Sequence, residues 1–182
     1  MAKTIKYVTM VVLVIIAAFV FLFIREDRGA ELEESAVPVP EISERTVTSS
    51  EKKPNEYRNE KFHFTLLYPP DIPLEQQIFE EDSLTVVFQA QDGAHGFQIF
   101  VTPYAGQEIT RERFLQDIPS GVMINATNIT IDGVPATRFF SESLIGETVE
   151  IWFIKNGLLY EIVSYKELEP WLWDIVQSWK FI

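Results

Sequence analysis

The sequence predicts an α+β domain, an antiparallel sheet flanked by helices, preceded by one transmembrane helix. Three observations carry this reading. Tyr7 to Ile24 is an apolar run with no charged residue. Residues 56–182 alternate apolar and polar side chains and contain three hairpin signals, and consecutive hairpins make antiparallel neighbours. Two segments, after Thr110 and after Pro170, carry apolar residues at helical spacing.

The first element is the run YVTMVVLVIIAAFVFLFI. As a helix it is about 27 Å long, enough to cross the hydrocarbon of a bilayer. It ends in bulky Phe21, Leu22, Phe23 and Ile24 and passes straight into Arg25. A signal peptidase needs small residues there, so residues 1–24 read as an uncleaved membrane anchor. Lys3 and Lys6 face Arg25 and Arg28 across it, a balance that leaves the short amino-terminal arm most simply in the cytoplasm. The expected location is therefore the cell membrane, single-pass, with the remainder on the extracytoplasmic side.

Residues 25–55 contain no aromatic residue and are rich in Glu, Ser, Pro and Val. Such a segment buries too little apolar surface to offset its ordering entropy. It reads as an acidic, disordered tether with a span of roughly 30 Å. Val37-Pro38-Val39-Pro40 within it favours polyproline II.

Residues 56–182 hold nearly all the aromatic residues and read as one soluble domain, expected to be monomeric. Phe62, Phe64, Leu66 and Tyr68 alternate into a strand that Pro69-Pro70 ends. Leu74, Ile78 and Phe79 suit a short strand or one helical turn. Residues 83–89 and 97–104 are two further strands, with Gly93 and Gly96 between them. Thr110 caps a helix carrying Phe114, Leu115 and Ile118, which Pro119 and Gly121 stop. Asp132-Gly133, Gly146 and Asn156-Gly157 then separate four strands, Asn-Gly and Asp-Gly being strong type I′ turn signals. Pro170 opens a last helix with Trp171, Leu172, Ile175, Val176 and Trp179 on one face. Trp173 lies about 200° round from Trp171 and is expected to face away.

Several function classes are excluded or weakened. The domain has 19 acidic and 8 basic residues, a net charge of −11. That surface repels phosphate, so nucleic acid is not expected as a partner. The chain has no cysteine, which removes disulfides and thiolate ligands. No Walker, dinucleotide, EF-hand or nucleophile-elbow pattern occurs. Glu147 and Glu150 fall on opposite faces of one strand and make no acid/base pair. Catalytic, cofactor-binding and metal-binding residues are accordingly none. Asn125 and Asn128 each begin a glycosylation triplet, of a kind that Thr-rich strands produce by chance.

Two residues stand out for contact with a partner: Trp173, as an exposed aromatic, and His95, in the turn before the third long strand. The expected function is a membrane-tethered binding or scaffolding module without catalysis. It would touch the bilayer through Tyr7–Ile24 and an envelope protein through its domain. The alternative is a small hydrolase or metal-dependent enzyme using His95 with loop carboxylates.

Tyr57 followed by KFHFTLLYP at 61–69 resembles the opening of PsbP-like domains, which are themselves similar to Mog1. Ile131-Asp132-Gly133, Asn156-Gly157, Tyr160-Glu161-Ile162 and the ending Ser178-Trp179-Lys180-Phe181 extend the resemblance across 57–182. It implies an α/β/α sandwich and a binding or assembly role rather than catalysis.

The anchor carries its own test. The mature protein is expected to keep its amino-terminal peptide and to resist carbonate extraction from membranes. A mature chain beginning near Glu31 or Val37 would show cleavage instead.

Overall fold

The computed structural model describes residues 53–119, 121–143 and 146–182. The anchor and most of the tether expected at 1–55 lie outside them. Among the described residues no helix is long and apolar enough to cross a membrane.

Among the described residues ten strands form two antiparallel sheets. The small sheet contains β1 (Asn55–Asn59), β2 (Phe64–Tyr68) and β10 (Lys180–Phe181), in the order β1-β2-β10. The large sheet contains β3 (Leu74–Glu80), β4 (Ser83–Gln89), β5 (Gly96–Pro103), β6 (Val122–Ile131), β7 (Val134–Ser143), β8 (Gly146–Lys155) and β9 (Leu158–Tyr165). Its order is β3-β4-β5-β9-β8-β7-β6. The described residues contain two α-helices, α1 (Arg111–Asp117) and α2 (Glu169–Gln177).

Local chemistry explains the hairpins. Asp132 and Gly133 have φ of 44° and 79°, and Asn156 and Gly157 have 54° and 76°. Positive φ at both central residues is what a two-residue type I′ turn requires, and Asn-Gly and Asp-Gly tolerate it best. The turns set Ile131 opposite Val134 and Lys155 opposite Leu158. Leu74–Glu80, ambiguous in sequence, is a strand paired with β4. His63 lies outside β2, in the turn before it, with φ of 56°.

The expected α/β/α sandwich is not the architecture. Strands dominate, and the two helices have seven and nine residues. The reason is one of coverage. Seven strands at about 4.8 Å spacing make a sheet roughly 29 Å across. A seven-residue helix is only about 10 Å long, and Pro103, Gly106 and Pro119 bracket α1 and keep it short. The face that buries the main core is covered instead by the small sheet together with α2. Tyr57, Phe64 and Leu66 there meet Phe88, Phe97, Ile99, Val101, Tyr160 and Ile162 of the large sheet. α1 seals a second, smaller cluster on the opposite face, built from Phe114, Phe139, Trp152 and Leu159.

The chain's end locks the two sheets together. Trp179 is 1% exposed and stacks on Phe64, with ring centroids 4.2 Å apart and planes 7° from parallel. It also meets Phe153 and Tyr160 edge-on. Beyond it β10 pairs with β2, Phe181 opposite Phe64. The Asp132 carboxylate accepts the Phe181 N–H at 3.0 Å and pairs with Lys180 at 2.9 Å. The Phe181 hydrogen bond chiefly, and Lys180 next, hold Asp132 below the usual carboxylate range.

Trp173 does not face solvent as expected. Leu172, Ile175 and Val176 are the buried residues of α2. Trp171 and Trp173 stand on either side of Leu172 and are both half-buried against the main core.

Trp179→Ala is expected to lower stability by about 3–5 kcal/mol, against a total of roughly 5–15 for a domain. Trp173→Ala is expected to cost about 1–2 kcal/mol, as a half-buried aromatic. Urea denaturation of the two variants measures both, and equal losses would mean that Trp173 is as embedded as Trp179.

Candidate functional site

One concave feature among the described residues follows from where the covering layer thins. α2 reaches over β9, and beyond it the cover thins toward the sheet edge: Val149 and Ile151 of β8 are buried, Arg138 of β7 and Ile129 of β6 are half-buried, and Thr127 of β6 is exposed. Register puts Thr127, Arg138 and Ile151 in one cross-strand row. Ile129 and Val149 stand on the same face, two residues along β6 and β8. Glu169 and Trp173, four residues apart on α2, form the facing wall. These seven residues enclose a groove of about 340 Å³, the size of a small-ligand or side-chain pocket.

The groove is mixed in character. Half-buried Ile129 and the Trp173 ring supply its apolar surface, and Val149 and Ile151 are buried at its base. Arg138 pairs with Glu169 across it, and its guanidinium stands 4.2 Å above the Phe140 ring. Lys166, bonded to Glu147 at 2.8 Å, lies 5.4 Å from the same ring. The arrangement offers a flat aromatic wall and a paired charge that a ligand group could split. It offers no nucleophile with a base beside it.

His95 is not part of this groove. It is exposed in the β4–β5 turn, and its ring lies 5.8 Å from Trp171, on the other flank of α2. Its carbonyl accepts from Gln89 Nε2 and Ala90 N. Asp92, the nearby carboxylate, accepts the Ala94 N–H at 2.9 Å and is used in shaping the turn. The structure thus separates His95 from Trp173. Among the described residues no three His, Asp or Glu side chains stand together as metal ligands, so the enzyme alternative gains no geometry around His95.

The opposite face of the large sheet holds titratable residues that the sequence reading missed. Glu150 of β8 and Glu161 of β9 are buried. Glu150 accepts from Thr148 Oγ1 at 2.9 Å and from Trp152 Nε1 at 3.0 Å. Arg113 of α1 approaches Glu161 at 3.4 Å and Asp117 at 2.7 Å, the second contact an ion pair without hydrogen-bond alignment. Two carboxyls, Asp117 and Glu161, therefore share one guanidinium, and Glu150 lies beside them without a cation of its own. Burial, then the negative charge of Asp117, pushes Glu161 well above its usual range. Burial likewise raises Asp117 despite Arg113. Burial also pushes Glu150 up to about 7 despite its two donors.

Glu150 holds its proton in the folded state through pH values at which the unfolded chain has lost it. Its stabilising protonated form is fully present below the ordinary value of 4.5 and is lost as pH rises through about 7. The domain is therefore expected to lose about 3 kcal/mol of stability from this group across that window. Glu150→Gln, which keeps a neutral side chain of the same shape, should flatten the profile. Urea midpoints at pH 5, 6, 7 and 8 test it, and identical pH slopes in the two proteins would refute the assignment.

Neither a family model nor a curated protein matches this sequence. Among solved structures, cyanobacterial PsbP (CyanoP) from Synechocystis sp. PCC 6803 is similar, with a TM-score of 0.53 at 12% identity. The match covers 78% of this chain and 99% of that one. The domain has a PsbP-like fold.

Proposed function

We propose that this chain is a membrane-tethered, extracytoplasmic binding or scaffolding module whose contact site is the groove beside Trp173. The reading is supported by the apolar run Tyr7–Ile24, the aromatic-free spacer after it and the groove itself. The groove is the observation that carries it. Half-buried Trp173 forms a wall already packed in place, so a partner pays little to order it. The net charge of −11 on the domain keeps anionic lipid heads and nucleic acid away and leaves protein as the preferred class of partner. A likeness to cyanobacterial PsbP fits this reading through fold alone.

Photo-crosslinking from the groove tests it. A benzoylphenylalanine placed at Trp173 in the full chain, irradiated in native membranes, is expected to give a discrete adduct with another protein. The same group at exposed Leu115, on α1, is expected to give none. Arg138→Ala should weaken the adduct by roughly ten-fold, the effect of losing one good polar contact. Equal labelling from both positions would remove the groove as the contact site.

A further inference from the structure

The large sheet ends on two unlike edges. β3 follows Pro73 and carries Glu75 and Glu80. Proline and charge are common guards against strand addition. β6 runs for ten residues, VMINATNITI, without a charged side chain, in a chain of net charge −12. Among the described residues no strand pairs with its outer side. Its one guard is a bulge between Ile124 and Thr127, with Asn125 at φ of 53°. Past the bulge, Thr127 to Ile131 pairs regularly with β7, and its Thr and Ile residues favour extended structure.

We propose that a second copy of this chain adds to β6, antiparallel, Thr127–Ile131 against Thr127–Ile131, about a two-fold axis at Ile129. This does not depend on what the groove binds, and it rests on the membrane tether proposed above.

The charge pattern selects this occupant. A two-fold contact sets one surface against itself, so it survives only where like charges do not meet. Centred on Ile129, the pairing sets Thr127 opposite Ile131 and Asn128 opposite Thr130 of the second copy. No charged group faces another. The next residue, Asp132, is held by Lys180 and the Phe181 N–H. Elsewhere two domains of net charge −11 repel, which leaves the uncharged edge as the place of least repulsion. The faces also agree. Ile129 is half-buried at the rim of the groove, and its two-fold mate would lie beside it and continue the apolar floor. Asn128 and Thr130 point to the other face, where both are exposed, and form polar cross-strand pairs. A strand contact of five residues is smaller than a standard interface. Two chains held in one membrane meet at raised effective concentration, which favours so small a contact.

The absence of cysteine makes the test clean. Ile129→Cys in the full chain, reconstituted in lipid vesicles, places two thiols opposite one another on the axis. Cross-strand Cβ atoms about 4.5–5.5 Å apart approach the spacing a disulfide spans. Under mild oxidation a disulfide-linked dimer is expected to predominate. Glu75→Cys on the β3 edge should stay largely monomeric. Adding Asn128→Glu with Thr130→Glu to Ile129→Cys sets like carboxylates directly opposite and should abolish the dimer. Adding Asn128→Glu with Thr130→Lys sets opposite charges there and should restore it, a pattern particular to this register. Crosslinking should also strengthen with added salt, as repulsion between the domains is screened. The proposal is overturned if Ile129→Cys crosslinks no more than Glu75→Cys. It is equally overturned if the two charge pairs at 128 and 130 behave alike, or if added salt weakens the crosslink. Should the double Glu variant fail to fold, the comparison of Ile129→Cys with Glu75→Cys still decides.

Discussion

Trp179 stacked on Phe64 is the contact on which the remaining architecture rests. A wide antiparallel sheet has two faces to cover, and the described residues offer only short helices with which to cover them. The small sheet is the cover, and Trp179 is what it shares with the large one, touching Phe64 of β2, Phe153 of β8 and Tyr160 of β9. Around that ring the chain's end is drawn in. Ser178 Oγ accepts the Leu67 N–H at 2.8 Å, and the Tyr160 hydroxyl donates to the Phe62 carbonyl at 2.9 Å. The Trp179 indole N–H is buried without an acceptor among the described residues. That costs about 1–3 kcal/mol, which the ring's dispersion and apolar burial outweigh.

The position of α2 follows from the same contact and produces the groove. The helix is anchored at its carboxyl end by Trp179 and Ser178, and its buried stripe is Leu172, Ile175 and Val176. Trp171 and Trp173 are left to flank it. One closes against Phe97 and His95. The other overhangs the edge of the core toward β6 and β7, where the cover thins and Thr127 is exposed. The groove is the unfinished margin of the core, and its mixture of apolar floor and paired charge reflects that. Arg138 occupies a core-facing position of β7 and is tolerated there because Glu169 and the Phe140 ring meet it.

The opposite face shows the same economy under a different constraint. α1 is long enough to bury Phe114 over Phe139 and Trp152, but it also closes over Glu150 and Glu161. Fully ionised, those carboxyls with Asp117 would leave two uncompensated charges beside a single Arg113, a costly state in a dry site. Retained protons relieve it. The cost is a domain whose tightest form favours mildly acid over alkaline pH.

What could be read from the sequence is what short-range chemistry controls. Asp132-Gly133 and Asn156-Gly157 determine their turns because few residue pairs accept positive φ twice, and each turn then sets the register of its hairpin. That same register makes part of the buried cluster legible in retrospect. The Asn156-Gly157 turn places Glu161 opposite Trp152, hence diagonal to Glu150 on one face, in strands apolar on both sides. Asp117 and Arg113 were not legible, because nothing local says where α1 lands. Trp173 was visible as a residue lying off the main helical face, yet its half-burial depends on β6–β8, distant in sequence. The layer arrangement was the largest departure, since the sequence resemblance implied helical layers around a single sheet and a second sheet supplies most of the cover over the main core. Helical and strand periodicity tell which side of an element is apolar but not what will cover it. Here the decision fell to contacts such as Leu67 with Ser178, 111 residues apart, and Phe62 with Tyr160, 98 apart. Such closures are chosen by the shape and area left over once the local hairpins have formed, and only the assembled tertiary structure contains that information.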